Sequence, residues 1–137
     1  MKKQTLKSAK LKARTAFKAF IRIRDALATT GTTHSCFCCT CDKLTFLDGS
    51  LHAGHFTQGS HNSTYFEETN VHGQCSTCNR FYHGRLDRYL MFMLRKYGQA
   101  EVDRLYALNG QTKIYKIADY EQIASHYKEK LENLLKQ

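Results

Sequence analysis

Asn70-Val71-His72-Gly73-Gln74-Cys75-Ser76-Thr77-Cys78-Asn79 carries an unambiguous C-x2-C pair, and the nature of that pair decides how the chain folds. A second cysteine cluster, Cys36-Phe37-Cys38-Cys39-Thr40-Cys41, lies upstream across 33 intervening residues. Two knuckles of this spacing supply four thiolates for a tetrahedral zinc, which can hold together a fold with little apolar core of its own. The upstream half has two registers, Cys36 with Cys39 or Cys38 with Cys41, and spacing alone allows both. We prefer the second, because it puts Asp42 directly after the knuckle and leaves the shorter path into the strand that follows. The expected structural zinc site is therefore Cys38, Cys41, Cys75 and Cys78. No apolar export signal opens the chain and no run is long enough for a membrane span, so a reducing cytoplasm is expected, and with it metal binding in preference to disulfides.

Outward from the knuckles, hydropathy patterning predicts an α+β chain. Leu44–Leu47 and Leu51–Phe56 flank Asp48-Gly49, a turn pair, and read as a two-stranded ribbon. Thr57–Thr69 is polar and reads as a surface loop. Leu86, Tyr89, Leu90, Met93, Leu94 and Tyr97 recur at helical spacing before Gly98, which stops the helix. A short helix follows over 100–108, ending at Asn109-Gly110. Asp119 then caps a last helix whose Tyr120, Ile123, Ala124, Tyr127, Leu131 and Leu134 form one face.

On the N-terminal side, residues 5–28 read as a helix with Ala13, Phe17, Phe20 and Leu27 on one side. The charge of this segment is one-sided. Of the 21 Lys and Arg residues, nine lie between Met1 and Arg24, where there is no acid; the remaining 12 are matched by the 12 acids. The net charge of +9 thus resides on the arm. Lys10, Arg14, Lys18 and Arg22 recur at every fourth position and form a basic stripe beside the apolar one. Such a stripe suits a polyphosphate, because each neutralised phosphate releases counterions and gives affinity without sequence preference. Arg24, Arg80 and Arg85 are further candidate DNA contacts, and Arg88 is either a phosphate contact or part of a solvated helix face.

The residues around the knuckles specify chemistry that a zinc staple alone would not. Gly54-His55 ends a strand, Asn70 stands five residues before Cys75, and Asn79 directly follows Cys78. Hydrolysis of a phosphodiester needs a base to activate water and a metal to stabilise charge on the phosphorus and the departing oxygen. His55, with a pKa expected near working pH, suits the first task. Asn79, with a hard amide oxygen at a helix start, suits the second, and His83 one helical turn later can reach the same ion. Asn70 is placed to brace the loop carrying His55 through bonds to backbone. His34, His61, His72 and His126 are read as ordinary packed or surface histidines.

These residues resemble a known family. Ala53-Gly54-His55-Phe56, Tyr65-Phe66-Glu67-Glu68-Thr69-Asn70-Val71-His72-Gly73-Gln74-Cys75 and Cys78-Asn79 look like the phage NinG or Rap recombination proteins. Ile21-Arg22-Ile23-Arg24-Asp25, Gly84, Tyr89 and Tyr97-Gly98 also match, so the resemblance runs from about Phe17 into the C-terminal helix. It is similar more distantly to HNH, or ββα-metal, nucleases. The resemblance implies a basic helical arm (1–30), a zinc-stapled ββα-metal nuclease core (31–98) and a C-terminal helical extension (99–137). It also favours the Cys38 and Cys41 register.

The implied activity is a structure-specific endonuclease acting on branched DNA, such as recombination junctions. Mg2+ or Mn2+ would be the catalytic ion and His55 the base, with Asn70 bracing it, in the cytoplasm of a bacterial host if the chain is phage or prophage encoded. Three positions depart from the wider pattern. Gly54 stands where many HNH nucleases carry a metal-binding Asp or His; His52 is the candidate replacement, brought round by a bulge at Gly54. Asn79 stands where His is frequent. Tyr82 replaces a basic residue, for which Arg80 or Arg85 can substitute. The rival reading is a zinc-dependent DNA-binding module of recombination or regulation without cleavage, which needs neither His55 nor Asn79. An RNA-binding knuckle is disfavoured because no obvious set of exposed aromatics offers base stacking. Symmetric junction cleavage would suit a homodimer, although no heptad run marks an interface.

Overall fold

Thr5 starts the first helix, its hydroxyl accepting from the Ser8 amide at 3.0 Å. The chain is described here by a computed structural model that covers residues 4–59 and 62–137; Lys2 and Lys3 of the basic arm and Ser60 and His61 of the polar loop lie outside them. Helix α1 (Leu6–Thr30) ends at Gly31, whose φ of 74° and amide bond to the Leu27 carbonyl make a left-handed stop. Strands β1 (Ser35–Phe37), β2 (Leu44–Phe46), β3 (Leu51–His55) and β4 (Val71–Cys75) follow, with a 3-10 turn at Glu68–Asn70 leading into β4. A single π-helical turn, Thr77–Phe81, then precedes α2 (Leu86–Lys96), α3 (Gln99–Asn109) and α4 (Ile117–Leu135). The α+β class and the four longer helices are found as expected, but the regular helix start expected at Asn79 is not. No helix among the described residues is long and apolar enough to cross a membrane.

The strand pairing differs from the expected ribbon. Leu44–Phe46 does not pair with Leu51–His55 across Asp48-Gly49. It pairs back with Ser35–Phe37, because the knuckle between them is itself a tight turn: the Cys38 amide donates to the Lys43 carbonyl and the Asp42 amide to the Cys38 carbonyl, both at 2.9 Å. β3 pairs instead with β4, antiparallel and in register from Leu51 opposite Cys75 to His55 opposite Val71. Five consecutive pairs leave no bulge at Gly54, so the expected route for bringing His52 round does not exist. Gly54 has another reason to be glycine: a Cβ there would overlap the buried side chain of Gln74.

The β3–β4 ribbon separates two differently built halves. On one face, Phe17, Phe20 and Ile21 of α1 pack with Ala53, Val71 and Tyr127 of α4 into an aromatic-rich core. Tyr120 and Ala124 extend that contact to Ala9 and Ala13, so the apolar side of the basic arm is docked along α4. On the other face, His72 accepts or donates to the hydroxyls of Tyr89 (3.1 Å) and Tyr97 (2.7 Å), and Tyr89 donates to the Gly54 carbonyl at 2.7 Å. Phe56, Tyr89, Met93, Val102 and Leu105 form the small core of α2 and α3. Asp119 proves to be the third residue of α4 and not its cap; its carboxylate accepts from the Lys116 amide at 2.7 Å.

The loop after β3 is more firmly held than its polar composition suggested. Thr57, Ser63 and Thr64 are buried, and Tyr65 and Phe66 pack against the α1–α4 core. The polar groups of Thr57 and Thr64 serve internal hydrogen bonds, so the reading of 57–69 as an ordinary surface loop is corrected for its described residues from Asn62 on.

Candidate active site and metal centre

The two knuckles converge. The sulfur atoms of Cys38, Cys41, Cys75 and Cys78 all lie within 4.8 Å of one another, the arrangement a tetrahedral ion requires, so these four can bind a metal such as zinc. This selects the Cys38 and Cys41 register. Burial raises the Cys38 thiol, but the Thr40 hydroxyl and backbone groups of Cys75, Thr40 and Cys41 outweigh it and bring the thiol down to about 7. Cys36 and Cys39 stay outside the cluster. Burial pushes Cys36 up to about 11 and raises Cys39 as well, so both behave as packed thiols.

His55, the last residue of β3, lines a cleft of about 390 Å³ with Lys18, Gln58, Asn62, Tyr65 and Asn79. Its Nε2 lies 3.0 Å from the Tyr65 carbonyl oxygen. A carbonyl can only accept, so Nε2 carries the proton and Nδ1 keeps the lone pair of the neutral ring. Burial lowers the imidazole to about 4; the Tyr65 carbonyl opposes this, while Lys18 and Arg14 add to it. His55 is therefore uncharged at neutral pH, the form a base requires, but the expected value near working pH is corrected: burial makes it a weaker proton acceptor than an ordinary histidine.

Asn70 is bonded to the loop on both sides of its amide. Its Oδ1 accepts from the Thr57 amide (2.8 Å) and hydroxyl (3.0 Å), and its Nδ2 donates to the carbonyls of Thr57 (3.3 Å) and Thr64 (3.2 Å). One fully buried amide thus closes the loop that delivers Tyr65 to His55.

Asn79 is brought to the cleft, but on the π-helical turn and not on a regular helix. Its Nδ2 lies 3.0 Å from Nδ1 of His52, so these two metal-ligand candidates meet despite the unbroken register of β3. Burial, Arg80 and Arg22 lower the His52 imidazole, and the Asn79 amide N–H, which can only donate, takes the Nδ1 lone pair. His83 is not placed with them: the helical turn that would have carried it ends at Phe81, and His83 follows it exposed, with φ 50°. Among the described residues, the four cysteines are the one cluster of three or more His, Cys, Asp or Glu ligand atoms.

The basic stripe divides in the same way. Lys10, Arg14, Lys18 and Arg22 are all half-buried along α1. Lys18 enters the His55 cleft, Arg14 lies 4.0 Å over the Tyr65 ring, and Arg22 lines an adjoining hollow with His52. Burial first, then Arg14 and Arg22, lowers the Lys18 ammonium, as expected for cations crowded without an anion. Arg24, grouped with them from the sequence, is turned inward. It donates to Asp25 (2.8 Å) and to the carbonyls of Glu68 (2.9 Å) and Val71 (2.7 Å), which leaves it no role as a free phosphate contact. Arg80 is exposed, and Arg85 lies 4.0 Å over the Tyr82 ring.

Sequence reasoning missed the Tyr65 carbonyl and Gln58, whose amide donates to the His55 carbonyl at 3.3 Å. A backbone carbonyl leaves no residue-type signal; only the bracing role of Asn70 hinted that this loop returns to His55. Asp25 was also missed as a structural partner. It accepts from the Gly73 amide at 2.8 Å, and its signal was its position as the first acid after an acid-free run.

The family model described as Bacteriophage Lambda NinG protein matches residues 1–137. The chain is 30% identical over 123 residues to Protein ninG of Escherichia phage lambda, covering 89% of this chain and 55% of that protein. It is 29% identical over 123 residues to Protein ninG of Escherichia phage 933W (89% and 56% covered) and of Salmonella phage P22 (89% and 55%). It therefore spans about half the length of the curated relatives it matches. No solved structure matches it. With the family model matched along the whole sequence, the chain belongs to the NinG family of bacteriophage lambda.

Proposed function

We propose that this chain is a metal-dependent endonuclease that hydrolyses phosphodiester bonds in branched DNA, with a ββα-metal core formed by β3, β4 and the turn carrying Asn79. The observation that carries the reading is the state of His55. It is a neutral imidazole with Nε2 committed to the Tyr65 carbonyl and a lone pair left on Nδ1, in a cleft shared with Lys18 and Asn79. A histidine kept only for packing has no need of a polar cleft lined by a cation.

His52 and Asn79 are the residues that would hold Mg2+ or Mn2+. Both are neutral donors with no carboxylate beside them, so an ion there would take most of its ligands from water and phosphate, and the bond between Asn79 Nδ2 and His52 Nδ1 would have to open to admit it. When bound, the ion supplies charge stabilisation at the phosphate and the departing oxygen. The protein's own part is to accept a proton from water at Nδ1 of His55, to hold that ring through Tyr65 and Asn70, and to place the cations of α1 along the strand.

The test is cleavage of labelled duplex, single strand, flap and four-way junction with Mg2+, with Mn2+ or without added divalent ion. Cutting of branched substrates alone, dependent on the ion, is expected. His55→Ala should bind the same DNA and cut it slower by a factor on the order of a hundred or more, the usual contribution of a positioned base. A folded His55→Ala protein that binds junctions and cuts them at the normal rate would falsify the mechanism and leave a non-catalytic DNA-binding module as the better account.

A further inference from the structure

The turn that follows Asn79 carries exposed aromatic side chains that neither the fold nor the proposed chemistry uses. Phe81 is 77% exposed and Tyr82 54% exposed, in successive positions on a protein whose other aromatic residues largely supply its cores. The Arg85 guanidinium lies 4.0 Å over the Tyr82 ring, and Arg80 is exposed beside Phe81. The turn is rigidly built. The Tyr82 amide donates to the Thr77 carbonyl and the Gly84 amide to the Cys78 carbonyl, while Gln74 donates to the Gly84 carbonyl at 2.9 Å. It is also anchored directly to the thiol cluster through Cys78. One flank is Asn79, which lines the His55 cleft; the other is Gly84, which abuts Gln58 of the same cleft.

We infer that Phe81 and Tyr82 form a stacking wedge that receives an unpaired base at the branch of a DNA substrate. This rests on the nuclease reading above and names what would make it specific for branches. Charge supports the occupant: from Cys75 to Leu86 there is no acid, and Arg80 and Arg85 flank the two rings. An exposed aromatic face offers favourable stacking to a base whose own neighbour has been removed, and a flanking guanidinium holds the adjacent phosphate. Intact duplex presents no unstacked face, so the wedge adds affinity only where pairing is interrupted. A site for an acidic protein would need the cations without the rings, and one for an apolar protein would need the rings without the cations. The expectation that no exposed aromatics are available for stacking is thereby corrected, because exposure of Phe81 and Tyr82 depends on the helix stopping at the π-helical turn.

The chain contains no tryptophan, so Phe81→Trp introduces a single indole whose fluorescence is quenched when a base stacks on it. The full chain, loaded with zinc and without other divalent ions, is titrated with flap, four-way junction, blunt duplex and single-stranded DNA and RNA of one sequence, while anisotropy of labelled DNA reports binding independently. Quenching by branched and single-stranded DNA but not by bound duplex is expected. Phe81→Ala should weaken branched DNA by on the order of tenfold and leave duplex affinity unchanged, and Phe81→Trp should retain it. Binding of branched DNA without quenching, equal quenching by duplex, or stronger quenching by RNA would each overturn the wedge on branched DNA, leaving the His55 mechanism to its own assay. Absence of binding to any DNA would overturn both.

Discussion

The α1–α4 seam and the cysteine knuckle of this protein are held together by different physics. On the α1–α4 side, large side chains interlock: Phe17 meets the rings of Phe66 and Tyr127 at 5.3 and 4.8 Å, and the helices bury a continuous apolar seam. On the knuckle side, the β1–β2 hairpin has three residues per strand and leaves Phe37, Leu44 and Phe46 exposed, and its centre is four sulfur atoms. One side can form from its own apolar surface, while the other depends on a ligand. The candidate site draws from both, with Lys18 on the first side and Asn79 on the second, and His55 on the strand between them.

The largest effect should come from removing the metal. A structural zinc contributes on the order of 10 kcal/mol of folding free energy in small domains, far more than any side chain. Chelation or Cys75→Ser should loosen the knuckle, β2 and the Asn79 turn first, while Cys36 of β1 stays packed on Ala26 of α1 and Leu51 of β3. The α1–α4 seam should retain helical structure. Hydrogen exchange resolved by segment checks this, with protection lost first around 38–46 and 75–85 and later on α1 and α4. Cys36→Ala, outside the cluster, should keep one zinc per chain. Simultaneous loss on both sides would show that the halves are one cooperative unit.

Phe17→Ala is the corresponding lesion on the helical side. Removing a fully buried phenylalanine costs about 3–5 kcal/mol, part of it the cavity left behind. Zinc content should remain one per chain, because no cysteine ligand touches that core. Denaturant unfolding with parallel metal analysis measures both, and loss of zinc in the folded variant would contradict the separation of the halves.

A third comparison concerns two arginines on one helix. Arg24 satisfies two backbone carbonyls and Asp25, tying α1 to the 3-10 turn and to β4, whereas Arg22 lines a hollow beside His52. Arg24→Ala should cost about 2 kcal/mol, the scale of charge-assisted bonds left unmade in a half-buried place. Arg22→Ala should leave the melting temperature nearly unchanged. It should lower the slope of log affinity against log salt by about one contact. The reverse pattern would restore Arg24 to the DNA surface.

This pair also marks what the sequence could reveal. Helical periodicity located α1, α2 and α4, because each buries one stripe and periodicity reports burial directly; α3 was placed by its stop at Asn109-Gly110. The cysteine pairs named the metal cluster, because thiolate spacing is chemistry written in residue types. Strand partners were misread because Asp48-Gly49 is a valid turn signal, and only the closure of the knuckle decides that β2 pairs backwards. Arg24 and Arg22 look identical in a string of cations; what separates them is two carbonyls, and carbonyls have no letter in the sequence. The exposure of Phe81 and Tyr82 has no letter either, since it follows from where the π-helical turn ends.

The last comparison, close to zero above pH 6.5, separates two histidines on opposite faces of the ribbon. His72 has both ring nitrogens engaged by tyrosine hydroxyls, and burial pushes it down to about 3; His55 has one nitrogen engaged and sits at about 4. In the unfolded chain both titrate near 6.5. As pH falls below 6.5 the unfolded state binds protons that the native state refuses, so stability drops, by at most about 1.4 kcal/mol per pH unit for each histidine. The loss continues until each folded value is passed, and above 6.5 neither histidine contributes any slope. Zinc thiolates also take up protons in this window, so the informative quantity is a difference between variants. His72→Gln should lower stability at pH 7 and flatten the acid slope between about 6 and 4. If His55 is the base, its low value also moves the acid limb of cleavage below the usual histidine range, and His72→Gln should leave that limb in place. An acid limb near 6.5 in the wild type would show that His55 is not held neutral by its surroundings. A limb that moves with His72→Gln would place the titrating group on the other face of the ribbon.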